Sequence, residues 1–151
     1  MVKITAKKRR SASSASSKAS QEARPRAARS KAQARPQPNS QNLAREIANL
    51  ALTKKAFDVV VMDMREVSSA TDFFVLASAA TDIQAKAVVR AIDDGLRARG
   101  IKPYHVEGLE NARWVLMDYV DVVAHVMQPR VRDYYGLEHL WSDAPREEIK
   151  D

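Results

Sequence analysis

The chain's 151 residues suggest one domain, and the complete absence of cysteine excludes disulfides, thiolate zinc sites and cysteine nucleophiles. The formal charge of +6 is lopsided: residues 1–40 hold 11 Lys/Arg against Glu22 alone, while residues 41–151 hold 14 against 18 acids. The basic balance therefore belongs to the first segment, and an argument for nucleic-acid binding by a basic domain fails for the remainder.

Met1 to about Ser40 is rich in Ser, Ala, Arg, Lys and Pro, with almost no large apolar residue after Ile4. Such a stretch buries too little surface to offset chain entropy and reads as a disordered basic tail. A solubilising role, a grip on RNA phosphates and an organelle transit peptide all stay open. Lys and Arg at this density displace counterions from RNA. A transit peptide calls for an amphipathic helix that is not evident, and no ~7–15-residue apolar core of a secretory signal is present. No apolar run approaches the ~18 residues of a membrane span. A cytoplasmic bacterial protein is the expectation, ahead of an organelle one.

From Asn42 to about Lys55, Leu43, Ile47, Leu50 and Lys54 recur at helical spacing, with Ala51 thickening the stripe. Asn42 or Ser40 supplies a cap. Phe57–Met64 reads as a strand, and the unbroken Val59, Val60, Val61 predicts cover on both faces. A polar connection leads to a second strand over Asp72–Ser78. Thr81–Arg99 is the clearest helix: Thr81 and Gln84 form a capping box. Ile83, Ala87, Val88, Ala91, Ile92, Gly95 and Leu96 give its buried face, and Gly100 suits a left-handed C-cap. Pro103–Glu107 is a short third strand.

Two apolar runs follow, Trp114–Tyr119 and Val122–Met127, separated only by Val120 and Asp121. They predict an antiparallel hairpin with a two-residue turn, although neither turn residue is Gly or Asn. Trp114, Leu116 and Asp118 share one face, with Val115, Met117 and Tyr119 on the other. Both faces are bulky and apolar, so one belongs to a core and the other needs a covering helix or a partner. Pro129 opens a last helix presenting Val131, Tyr134, Leu137 and Trp141, with a kink expected at Gly136. Residues 145–151 are expected to fray. The order gives an α/β domain over residues 41–144, a mixed sheet of about five strands with packed helices.

These spaced motifs carry a resemblance: Thr71-Asp72-Phe73-Phe74-Val75, Ala77-Ser78, Gln84, Glu107-Gly108, Trp114-Val115-Leu116, Asp118, Asp121-Val122-Val123, His125, Tyr134-Tyr135, Leu137-Glu138 and Leu140-Trp141. From about residue 43 to about residue 144 the chain resembles the ribosomal silencing factor family, also called Iojap-related. The resemblance implies a nucleotidyltransferase-like fold without catalysis. It also implies binding to the large ribosomal subunit at ribosomal protein L-fourteen, which sterically blocks joining of the small subunit and represses translation in stationary phase or starvation. Related organelle proteins are tied to large-subunit assembly, which is one alternative function. The main departure is Ser78-Ala79-Ala80-Thr81, where the family usually has Gly after the Ser.

The other alternative, a nucleotide-binding or nucleotidyltransferase-type enzyme, needs paired carboxylates for Mg²⁺ and a Gly-Ser phosphate turn. The candidate pairs are Asp58 with Asp63 and Asp118 with Asp121, but Asp63 lacks a second carboxylate two residues on, and Asp118 and Asp121 flank a turn rather than sharing a strand face. No metal site or cofactor is expected. His125 lies among valines and reads as a core or sheet histidine, since no nucleophile accompanies it.

Trp114, Tyr119, Tyr134, Tyr135 and Trp141 cluster in the last third, close in sequence to Glu107, Glu110, Asp118, Asp121 and Glu138. Aromatics rimmed with carboxylates suit a basic protein better than bare RNA. The expected partner-binding residues are Trp114, Asp118, Tyr119 and Asp121 on the hairpin, with Glu107, Gly108 and Arg113 beside it. The tail adds an rRNA contact at most, and free sheet edges are compatible with a homodimer.

Overall fold

The computed structural model describes residues 39–150. The readings made for the basic tail lie outside them. The compact unit begins at Asn39.

Its elements are α1 (Ser40–Leu52), β1 (Phe57–Asp63), β2 (Phe73–Ser78), α2 (Asp82–Arg97), β3 (His105–Glu107), β4 (Trp114–Asp118), β5 (Val122–Met127), α3 (Pro129–Tyr135), α4 (Leu137–Leu140) and β6 (Arg146–Glu148). The sheet has six strands in the order β3-β4-β5-β2-β1-β6. Only β2 and β5 run parallel; the other pairs are antiparallel. This is the mixed α/β sheet expected from the sequence, with one strand more.

The extra strand is β6. The charged end expected to fray pairs instead with β1, through Val60–Glu148, Val61–Glu147 and Met62–Arg146. Its side chains are exposed, as charge on an edge strand often is, because charge there discourages pairing with other chains. Long-range partners hold it: Glu147 meets Arg45 of α1 at 2.9 Å, and Ile149 N–H donates to Val59 O at 2.9 Å.

α1 starts earlier than its apolar stripe. The side chain of Asn39, rather than Asn42 or Ser40, accepts from Asn42 N–H at 2.8 Å, and Ser40 Oγ donates to Asp72 at 3.0 Å. In α2 the Thr81 hydroxyl accepts from Gln84 N–H as expected. Gln84 reaches further than a capping box requires: its Oε1 accepts from Ala80 N–H, and its Nε2 donates to the carbonyls of Lys54 and Lys55. One side chain thus ties the end of α1 to the start of α2. The buried stripe of α2 is Ala85, Val88, Val89, Ile92 and Leu96. It is rotated from the expected one, and Ile83 is left 77% exposed.

α1 and α2 supply the apolar cover that packs with Val59, Val61, Phe73, Val75, Val115, Met117, Val122, Ala124 and Val126 on one sheet face. Each of these Val, Phe and Met side chains stabilises by about 1.5–3 kcal/mol when fully buried. The opposite face carries a smaller cluster of Val60, Met62, Phe74, Leu76 and Met127, closed by Leu137 and Ala144 from the C-terminal segment. Two packed faces explain the unbroken apolar runs of β1 and β2. The last helix does not kink at Gly136 but ends there, in a left-handed residue with φ +53°.

Arg132 fastens α3 and α4 to the sheet. An extra residue in β1 between Phe57 and Val60 makes a β-bulge, with Asp58 at φ +49°. Arg132 Nη1 donates to the Asp58 carbonyl (2.7 Å) and to Ser78 Oγ (2.8 Å), while Nε and Nη2 fork onto the Glu138 carboxylate at 3.2 and 2.8 Å. The Arg132 hydrogen bonds hold the Glu138 carboxyl below its ordinary value of 4.5. Because the folded pKa is the lower one, the pair's stabilisation is complete above 4.5 and is lost as pH falls through the folded value. Urea midpoints recorded from pH 7 down to pH 3 should fall more steeply for the wild type than for Glu138→Gln. Parallel curves would show that this pair contributes nothing to acid sensitivity.

Candidate interaction surface

The hairpin forms as its pattern predicts. Trp114 pairs with Met127, Leu116 with His125 and Asp118 with Val123, so these residues share one face. β3 continues that face: Glu107 stands opposite Leu116, and His105 opposite Asp118. Leu116, Asp118, Val123, Trp114 and Glu107 are all only half-buried. The smaller apolar cluster reaches Trp114 and Val123 but not Leu116. This stretch of face is therefore partly open, and strand alternation puts three of the expected residues, Trp114, Asp118 and Glu107, side by side on it.

Tyr119 does not belong there. It is 6% exposed and packs in the core of the opposite face, so its expected place on the contact surface is corrected. Strand alternation is the cause, since consecutive side chains point to opposite faces. Burial first, and then the Asp93 charge, push the Tyr119 hydroxyl far above the usual tyrosine range.

The turn itself is strained. Tyr119 N–H donates to Val122 O at 2.8 Å, and Asp121 N–H donates back to Tyr119 O at 2.9 Å. This closes a tight three-residue turn on Val120, whose φ is +73°. A β-branched residue there costs of order 1–2 kcal/mol. Two aspartates help to hold it. Asp118 Oδ1 accepts from Val120 N–H at 2.7 Å, and the Asp121 carbonyl accepts from Asp72 and Phe73 N–H. The turn thereby presents Val120, half its surface exposed, beside the start of β2.

Gly108 contributes backbone rather than a side chain. At φ +84° it lies so close to β4 that a Cβ there would stand 2.1 Å from the Trp114 carbonyl oxygen. Arg113, just before Trp114, is exposed, and its carbonyl accepts from Gln128 N–H at 2.9 Å. Glu107 Oε2 meets His105 Nε2 at 2.7 Å.

Trp114 is oriented from below. Its Nε1–H donates to Nδ1 of the fully buried His125 at 3.1 Å, so the neutral imidazole carries its proton on Nε2. The buried histidine expected among the valines thus aims the tryptophan. The Phe74 ring meets His125 edge-on at 4.7 Å. On the outer side the Tyr135 ring lies 4.9 Å from Trp114, tilted by 52°, and Tyr134 meets Tyr135 edge-on at 4.9 Å. Leu116, Val123, Tyr134 and Tyr135 were absent from the expected site. For Leu116 and Val123 the alternation along β4 and β5 was the available signal.

Two carboxylates of the enzymatic reading are engaged locally: Arg65 forks onto Asp63, and Asp118 caps Val120 N–H. Among the described residues no group of three or more His, Asp or Glu is placed to hold a metal ion. Nor is any helix among them long and apolar enough to cross a membrane. The hairpin and β3 present a partly open apolar and aromatic face bordered by Glu107 and Asp118.

Residues 37–151 match the model of a family described as "Ribosomal silencing factor during starvation". A Bacillus subtilis protein named ribosomal silencing factor RsfS is 38% identical over 107 residues, which is 71% of this chain and 91% of that one. The maize chloroplastic protein Iojap is 29% identical, over 68% of this chain and 45% of its own length. Crystal structures of a Chromobacterium violaceum protein and a Bacillus halodurans protein superpose with TM-scores of 0.67 and 0.64, at 29% and 37% identity. They cover 75% and 72% of this chain, and 94% and 99% of their own.

Proposed function

This chain belongs to the ribosomal silencing factor family, and from that membership we propose that it binds the large ribosomal subunit at ribosomal protein L-fourteen and keeps the small subunit from joining. The observation that supports this most is the partly open face of Trp114, Leu116 and Val123 beside Glu107 and Asp118. Ribosomal proteins are basic, and a carboxylate-rimmed apolar face complements a basic protein surface while repelling phosphates. The contact set is Trp114, Leu116, Asp118 and Glu107 on that face, with Asp121 at the turn, Arg113 beside it, and Gly108 acting through its backbone. The mechanism is occlusion: a folded domain on the intersubunit face removes the space the small subunit needs, with no chemical step. The basic segment 1–40 adds a salt-sensitive contact to ribosomal RNA. The protein acts in the bacterial cytoplasm and lowers initiation in stationary phase or starvation.

The deciding experiment mixes purified subunits at fixed magnesium and follows association by light scattering. Added protein should suppress the rise in scattering, and unchanged joining would sink the reading. Trp114→Ala should weaken binding to the large subunit by more than about 2 kcal/mol if the indole is a hot spot. Wild-type affinity in a folded Trp114→Ala protein would remove the hairpin from the interface.

A further inference from the structure

We infer that Tyr134 and Tyr135 of α3 extend the contact surface beyond the hairpin and seat a Lys or Arg side chain of the basic ribosomal protein; this rests on the function proposed above. Tyr134 is 81% exposed, above every other exposed large apolar side chain of the described residues. Its ring nevertheless packs at the end of a series of aromatic contacts. It meets Tyr135 edge-on, Tyr135 lies against Trp114, and Trp114 is anchored by His125. An unbroken series of rings thus runs from the buried core out to solvent and ends on an open ring.

Folding does not require that last ring, because most of its surface stays in water. Holding it against Tyr135 lowers the side-chain entropy lost when a partner docks. Tyrosine faces attract cations, and guanidinium in particular stacks flat on them. On α3 the exposed Asp133 and Arg130 bring one charge of each sign, so the open ring face is what favours a cation here. Glu138 is already committed to Arg132 and offers little more. A ribosomal RNA base would also stack on tyrosine, but its phosphates would meet Glu107 and Asp118 on the adjoining face. The partner chemistry favoured is therefore a basic side chain beside the part that covers Trp114 and Leu116.

The test uses the full chain, with affinities measured both for purified large subunits and for isolated ribosomal protein L-fourteen. Tyr134→Ala should keep the wild-type melting temperature and lose about tenfold or more in affinity for both targets. Tyr134→Phe, which keeps the ring, should stay within about threefold of wild type. Wild-type affinity in Tyr134→Ala together with a loss in Trp114→Ala would overturn the extension while leaving the proposed function standing. Wild-type affinity in both variants would overturn both. A loss on the subunit but not on the isolated protein would place the ring on ribosomal RNA and overturn the assignment to a basic side chain.

Discussion

Gly108→Ala is expected to cost at least about 3 kcal/mol of stability, and to displace the strand that carries Trp114 even where the protein still folds. Two effects add at this position. A residue with a Cβ at φ +84° has the left-handed penalty of about 1–2 kcal/mol. The new methyl would also lie 2.1 Å from the Trp114 carbonyl oxygen and 3.5 Å from Val115 Cα. Both are backbone atoms of β4, so no side chain can rotate away; either the loop or the strand must move. Gly100→Ala separates the two effects. Its φ is +80°, but nothing lies within 4 Å of the added carbon. Only the conformational penalty applies there, about 1–2 kcal/mol. Urea denaturation of the two variants should therefore differ clearly, with Gly108→Ala much the weaker. Equal losses would mean that the loop after β3 yields easily and that Gly108 does not place Trp114. Binding should follow the same order, because Gly100 lies outside the proposed contact set and Gly108 supports it.

The features legible in the sequence were those with a local period or a local pair. Alternation along Trp114–Tyr119 set the two faces of the hairpin, and Thr81 with Gln84 marked the start of α2. The same alternation already separated Tyr119 from Trp114 and Asp118; grouping them as one surface followed nearness in sequence rather than direction. The strained turn was opaque because Val120 is not a residue that favours positive φ. β6 was missed for a different reason. Its three residues are charged, and what pairs them is the open edge of β1, more than 80 positions earlier. No window of sequence contains that edge. Tyr134 shows the same limit: helical spacing put it on one stripe with Leu137, but Gly136 breaks the helix and turns the two side chains to different surroundings.

Arg132 is the residue most hidden from sequence reasoning and the one whose loss should matter most to the fold. A charged side chain in a short amphipathic helix reads as a solvated one, yet it is 8% exposed and binds a carbonyl 74 positions earlier. Arg132→Met should destabilise by about 3–5 kcal/mol, the usual loss when one partner of a buried pair is removed. The cause is what remains behind: a half-buried Glu138 carboxylate without its counter-ion, together with a Ser78 hydroxyl and an Asp58 carbonyl that lose a donor. Removing the second charge as well should help. Arg132→Met with Glu138→Gln should be less unstable than the sum of the single changes, a coupling of about 0.5–3 kcal/mol in a double-mutant cycle. Strict additivity would mean that Glu138 is solvated well enough to stand alone and that Arg132 acts only through the bulge and Ser78. Partner binding supplies a second readout. α3 carries Tyr135 against Trp114, so loosening Arg132 should weaken large-subunit binding under conditions where the variant is still fully folded. Trp114→Ala, in contrast, should lose binding with little change in the acid dependence set by Glu138. That contrast separates the clamp that places the surface from the surface itself.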